Sequence, residues 1–250
     1  MRHIPTVRPL WTYVILAVNV LFFAGMELSG GSTRSAVLIA FGANFAPLVE
    51  RGEFFRLVVA NFLHIGFLHF AVNSYSLYVV GARLENLIGH PRFVMLYLLT
   101  GISGAVFSFV FTHGLSAGAS TSLFGAVGGL IAYFFRHRKA LGEFGRQSLI
   151  NMLGIVVINF VIGLSPGSAI DNFGHLGGLL GGLALGWFLA PRYEVSELAF
   201  GVYQGRKREV EPELDNGELM DVNGLNKQWL PILVFFVAMA AMVYARINLF

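Results

Sequence analysis

Asp171-Asn172-Phe173-Gly174-His175-Leu176-Gly177-Gly178-Leu179-Leu180-Gly181-Gly182-Leu183-Ala184-Leu185-Gly186-Trp187-Phe188-Leu189-Ala190 decides the fold. Twenty mostly apolar residues match the length a helix needs to cross a bilayer core. Gly174, Gly178, Gly182 and Gly186 recur every four residues, so on a helix they form one stripe. In lipid, such small-residue stripes let two helix backbones approach closely. His175 sits just after the first glycine of the stripe, and an ionisable group inside a membrane is costly enough to suggest function.

Six further stretches are long and apolar enough to span or come close, at about 10–28, 64–82, 93–112, 118–135, 149–164 and 229–247. The fifth in chain order, 149–164, is short. The whole chain of 250 residues is 56% hydrophobic and only 12% charged. A soluble domain carries about 25% charged residues, so this chain cannot cover a water-facing surface. No stretch shows sustained strand alternation, which excludes a barrel. The 30 Gly and 24 Phe suit tightly packed membrane helices. There is no Cys, which removes disulfides, Cys-ligated zinc and Cys nucleophiles. The expected fold class is an all-α polytopic membrane protein: a six-helix transmembrane bundle, residues 1–190, and a seventh span at 229–250. The two are joined by a polar linker, 191–228, that holds eight of the 14 acidic residues.

Lys and Arg set the expected orientation. With the N-terminus inside, 13 of the 17 fall in inner segments and only Arg34, Arg51, Arg56 and Arg246 in outer ones. The N-terminus is therefore expected in the cytoplasm and the C-terminus outside. No cleavage pattern of small residues follows the first span, which reads as retained. The outer loop 29–63 is half apolar, and its run Ala36–Phe45 is expected to lie in the interface.

In this topology three spans that enter from the outer face each carry polar groups near their start: His69 and Asn73, Ser120, and His175. At 1.5 Å per residue all lie roughly 5–12 Å below that face. Gly125 and Gly129 of the fourth span form a second small-residue stripe. If it meets the stripe of the sixth span, Ser120 and His175 come together. A Ser beside a neutral imidazole is a nucleophile beside its general base. Backbone N–H groups at a helix start lack intrahelical partners and are candidate oxyanion donors, the N–H of Ser120 among them. His69 and Asn73, four apart, share a helix face and offer two more.

These residues resemble the rhomboid family of intramembrane serine proteases. Gly118-Ala119-Ser120-Thr121-Ser122-Leu123-Phe124-Gly125 resembles the family's nucleophile segment, and Gly174-His175-Leu176-Gly177-Gly178 its catalytic-histidine segment. His64-Ile65-Gly66-Phe67-Leu68-His69-Phe70-Ala71-Val72-Asn73 resembles its second-span pattern. Gly52-Glu53-Phe54-Phe55-Arg56 resembles its Trp-Arg motif, with Phe in place of Trp. The match covers roughly 10–190. It implies a rhomboid-like bundle in the six-plus-one form and a dyad of Ser120 and His175 with no Asp. It also implies an oxyanion site from the Ser120 N–H, His69 and Asn73, and Phe124 stacked on the histidine. Gly118, Gly178, His64 and Arg56 would support the site. Thr121 departs from the usual Gly, and its β-branch narrows the freedom of the turn.

Blander roles stand beside these. Ser120 alone reads as a helix cap, and His69 and Asn73 as interhelical hydrogen-bond glue. His64 is expected to hold the outer loop by hydrogen bonds. Arg56 could anchor the outer loop at the headgroups or bond loop carbonyls, and the family resemblance implies the latter. Asp171 is expected to cap the sixth helix rather than orient His175. Ser122 points about 200° away from Ser120 on the helix. Glu27 is read as solvated, His113 as lying at the outer rim, and His3, His90 and His137 as ordinary interface residues. A zinc protease is excluded because no His is followed by Glu. An aspartyl mechanism fails because Asp215 and Asp221 lie in the linker, leaving only Asp171. Two other functions remain open, a non-cutting rhomboid-like partner binder and a transporter. The expected partners are transmembrane protein substrates and the lipid bilayer, without nucleic acid, metal or cofactor. The expected site is a bacterial inner membrane, with a eukaryotic secretory membrane as the alternative.

Overall fold

A computed structural model describes residues 6–112, 114–166, 168, 170–195 and 219–249. The chain runs α1 (Trp11–Leu28), α2 (Ser35–Phe41), α3 (Ala46–Val49), α4 (Arg56–Val59), α5 (Gly66–Ser76), α6 (Ala82–Ile88), α7 (His90–Phe111), α8 (Ser120–Arg136), α9 (Arg138–Gly163), α10 (Asn172–Leu189) and α11 (Trp229–Leu249). A 3-10 turn at Ala60–Phe62 follows α4, and a π turn at Leu77–Gly81 joins α5 to α6. Two short antiparallel pairs complete the structure: Asn44–Phe45 with Leu115–Ser116, and Tyr193–Val195 with Leu219–Asp221. His3, His113 and the acidic run 197–218 of the expected linker lie outside the described residues.

The molecule is an all-α polytopic membrane protein. Among the described residues, α1, α7, α9 and α11 are long and apolar enough to cross a bilayer. The pair Arg56–Phe62 and Gly66–Ile88, bent by 89°, makes up to five. α8 and α10 pack as central helices, with glycine backbones buried between them. A helix enclosed by protein can carry glycine and polar residues that a lipid-facing helix cannot.

The glycine stripes meet as the sequence predicts. A Cβ added at Gly178 would lie 2.1 Å from the Thr121 carbonyl oxygen, and one at Gly182 2.1 Å from that of Gly125. One at Gly186 would lie 2.7 Å from the Gly129 Cα. The α8 and α10 backbones therefore touch along three turns. α7 closes the trio from the other side, where Ser103 Oγ donates to the Gly177 carbonyl at 2.8 Å.

Several boundaries differ from expectation. α9 begins at Arg138, eleven residues before the expected 149, and is broken at Gly142 (φ 51, ψ −132). The charged residues of its first turns mask a helix that hydropathy alone does not count. The expected span 64–82 starts at Gly66 and runs on through the π turn to Ile88. α11, set apart in the sequence, packs on the bundle: Phe235 joins the main core, and Met239, Met242 and Val243 cover a second cluster around Ala105 and Val106. Its far end carries Arg246, 3.4 Å from Glu50 beside α3. Its near end is tied through Asp221, which pairs with Arg92, and through Asn223. The Asn223 amide donates to the carbonyls of Phe188 and Ala190 at 2.7 and 2.8 Å, satisfying orphan groups at the end of α10.

Glu85 fixes α1. Its buried carboxylate accepts from the N–H groups of Leu10, Trp11 and Thr12 at 2.8–2.9 Å and from Thr12 Oγ1 at 2.7 Å. This is a helix N-cap supplied from another helix, with the carboxylate at the positive end of the dipole. His90 joins it at 2.6 Å, so it is not the ordinary interface residue expected. Glu27 accepts from the Ser32 N–H at 3.1 Å, closing the turn after α1.

Replacing Gly182 with Val should cost about 3 kcal/mol, the upper end of overpacking penalties, because backbone rather than a flexible side chain blocks the new atoms. Gly154→Ala, where nothing lies within 4 Å, should leave thermal unfolding in detergent unchanged or slightly raised.

Candidate active site

Ser120 stands at the first position of α8, after the cap residue Ala119. Its N–H therefore has no acceptor inside the helix. The approach to it turns at Gly118, whose φ of +151 disfavours any side chain. That glycine also leaves room at the site. A Cβ there would lie 2.9 Å from His69 Nε2 and 3.4 Å from Ser120 Oγ. The two polar atoms thus border one small space kept open by a hydrogen. The Gly118 N–H donates to the Ala60 carbonyl at 2.9 Å, fastening the turn.

His69 lies on α5, half-buried. Its Nδ1 accepts from the Ile65 N–H at 3.3 Å, which places the ring proton on Nε2, the nitrogen facing Gly118 and Ser120. A neutral imidazole in this tautomer is a donor toward that space.

His175 lies one turn into α10 and is buried, with Nδ1 unpartnered. Its ring stacks on Phe124 at 4.2 Å between centroids and 17° between planes. Ser120 and Phe124 are four apart on α8 and share a face, so the imidazole is held one turn from the serine. Gly178, next on the α10 stripe, lets that turn sit against the Thr121 carbonyl. No hydrogen bond joins Ser120 Oγ to His175 in this structure.

Asn73 is buried on α5, and its amide nitrogen donates to the His69 carbonyl at 2.9 Å, within its own helix. His64 departs from expectation. Both ring nitrogens are buried without a partner, so it holds no loop by hydrogen bonds. It acts by packing, edge-on to His69 at 5.5 Å and to Phe70 at 5.6 Å. Arg56 is buried and donates to the carbonyls of Ile39 and Ala43 at 2.8 and 3.1 Å, and it pairs with Glu53 at 2.7 Å. One side chain thus ties α2 and the residue ahead of the first short strand to α4. Asp171 caps α10, accepting from the Gly174 N–H at 2.9 Å. Its carboxylate also takes the Ser116 hydroxyl at 2.7 Å and that of Thr112 at 3.2 Å. Ser122 Oγ is fully buried on the far side of α8, against Gly101 of α7.

The sequence did not point to Asn61. Its Oδ1 accepts from Thr121 Oγ1, and its amide nitrogen donates to the Leu57 and Val58 carbonyls, both at 3.1 Å. Asn61 lies in a 3-10 turn, where no periodicity marks it. Among the described residues, no group of His, Asp and Glu is placed to hold a metal ion.

Fold and site together define a helical membrane protein that gathers a serine, at a helix N-terminus, and histidines from two other helices inside its bundle. The chain belongs to the rhomboid family: the Rhomboid domain model matches residues 51–192. It is 42% identical over 175 residues to the rhomboid protease GluP of Bacillus subtilis, covering 70% of this chain and 34% of that protein. It is 34% identical over 157 residues to the mitochondrial RHOMBOID-like protein 6 of Arabidopsis thaliana, covering 62% of this chain and 50% of that one. It is also 34% identical over 159 residues to Rhomboid-like protease 1 of Toxoplasma gondii, covering 60% and 52%. The chain thus spans a third to about half the length of these relatives.

Asp171→Ala should destabilise the start of α10 by about 1–2 kcal/mol, because a cap and two hydroxyl bonds are lost together. Asp171→Asn should retain most of that, read as thermal unfolding of the detergent-solubilised protein.

Proposed function

We propose that this protein is an intramembrane serine endopeptidase that cuts transmembrane segments of membrane proteins near the outer face. The observation that carries the reading is the Phe124–His175 stack, which sets an imidazole on the same face of α8 as Ser120. Ser120 Oγ attacks the scissile carbonyl carbon while His175 takes its proton. With Nδ1 buried, Nε2 is the base. The tetrahedral oxyanion is met by the Ser120 N–H and by His69 Nε2–H across the space beside Gly118. Asn73 has a second amide hydrogen to offer once its first is spent on His69. The imidazolium returns its proton to the leaving amine, and the acyl-enzyme is released by water in the same two steps. No metal or cofactor enters this chemistry.

The relatives' names and the family support the reaction class. In this proposal residues 1–190 form the catalytic core, 191–228 a cytoplasmic linker, and 229–250 the seventh span. The membrane is a bacterial inner membrane, with the C-terminus and the site toward the outside, as the Lys/Arg bias suggests. A transmembrane helix hides its carbonyls in internal hydrogen bonds, so substrates are spans that unwind near the outer face. A second reading, a rhomboid-like binder that does not cut, is favoured by the missing Ser120–His175 hydrogen bond. Catalytic hydrogen bonds are often long before substrate arrives, so the protease reading stands first.

A fluorophosphonate probe should label the detergent-solubilised wild type and neither Ser120→Ala nor His175→Ala. Folded wild type that stays unlabelled would establish the non-cutting binder instead. With a cleavable substrate in hand, helix-stabilising substitutions beside the cut should slow cleavage at least several-fold. Equal rates would remove the requirement for unwinding.

A further inference from the structure

Thr121 follows Ser120 directly, and its side chain has a seat built by three other elements. Its Oγ1 donates to Asn61 Oδ1. The Asn61 amide nitrogen is spent on the Leu57 and Val58 carbonyls, so its oxygen is presented to α8. Both side chains are buried, at 6% and 5% exposure, where an unpaired polar group is costly. Around the methyl group, Gly104 of α7 and Gly174 of α10 give way. A Cβ at Gly104 would lie 2.5 Å from the Thr121 Cβ, and one at Gly174 3.1 Å from its Cγ2. A threonine hydroxyl in a helix ordinarily has the option of bonding back to its own chain; this one reaches across to the 3-10 turn instead. With the Gly118 N–H on the Ala60 carbonyl, the segment carrying Ser120 is strapped to residues 60 and 61 on both sides of the serine.

We infer that Thr121 and Asn61 are positioning residues for Ser120: their hydrogen bond fixes the first turn of α8, and with it the direction of the serine Oγ and N–H. The inference rests on the reading of Ser120 as nucleophile. The threonine is then no defect at a position where the family resemblance has glycine. Its restricted backbone is matched to a partner on a different element, and the pair works as one unit.

The test is the rate of fluorophosphonate labelling of the full chain in detergent, resolved into maximal rate and half-saturating probe concentration. Thermal unfolding is measured beside it. Thr121→Ser keeps the hydroxyl and should label within about twofold of wild type. Thr121→Val keeps the shape and loses the bond; its maximal rate should fall about tenfold with the half-saturating concentration unchanged. Asn61→Ala removes the bond from the other side and should fall alike, which keeps the test intact if Thr121→Val does not fold. The double variant should be no slower than the slower single one. Folded Thr121→Val at the wild-type rate, or single effects that multiply in the double variant, would overturn the inference while leaving Ser120 a nucleophile. An unlabelled wild type would instead overturn the reading on which it rests, and the inference with it.

Discussion

The contact between the backbones of α8 and α10 is the constraint on which the rest depends. Lipid offers helices no hydrophobic reason to associate, so association rests on close packing and on polar bonds between helices. Here the packing is at its limit, because carbonyl oxygens of α8 occupy the places where side chains of α10 would begin. That contact sets the height of His175 relative to Ser120 and the stacking of its ring on Phe124. α7 closes the trio with a hydroxyl bond, and α1 and α11 bury part of their apolar surface on the bundle while leaving the rest exposed.

A second constraint comes from the connection between α1 and α5. It is irregular, and irregular backbone must find its hydrogen bonds somewhere. Arg56 gathers two of its carbonyls, and Asn44 and Phe45 pair with Ser116 and Leu115 just ahead of the serine. The Asn44 amide reaches the Ala105 carbonyl of α7 at 2.9 Å. Groups that would be orphans in a loop have become the ties that hold the loop before α8. Stability of the connection and geometry of the site are the same set of bonds.

Much of this was legible in the sequence because it is periodic. The four-residue spacing of Gly174, Gly178, Gly182 and Gly186 names a helix, its contact face and the level of His175. Asp171 reads as a cap because a carboxylate three residues before an orphan N–H has that use. Elsewhere a physical signal was missing or was masked. α9 begins among Arg138, Lys139, Glu143 and Arg146, and a scan for apolar length does not see a helix whose first turns are charged. His64 looks like a hydrogen-bonding residue, yet burial left it only rings to pack against. Asn61 and Thr121 are 60 positions apart in different kinds of structure, and only the folded chain pairs them.

Glycine has no smaller substitute. Wherever an oxygen already fills the place of a Cβ, every other residue is too large, so the seam between α8 and α10 admits no gradation. In this chain the two helices have no room for small shifts toward each other. Variation has to enter at places that have a range of sizes and partners to choose from. Position 121 is one such place, where a side chain grows out of the seam into space that its neighbours have left for it.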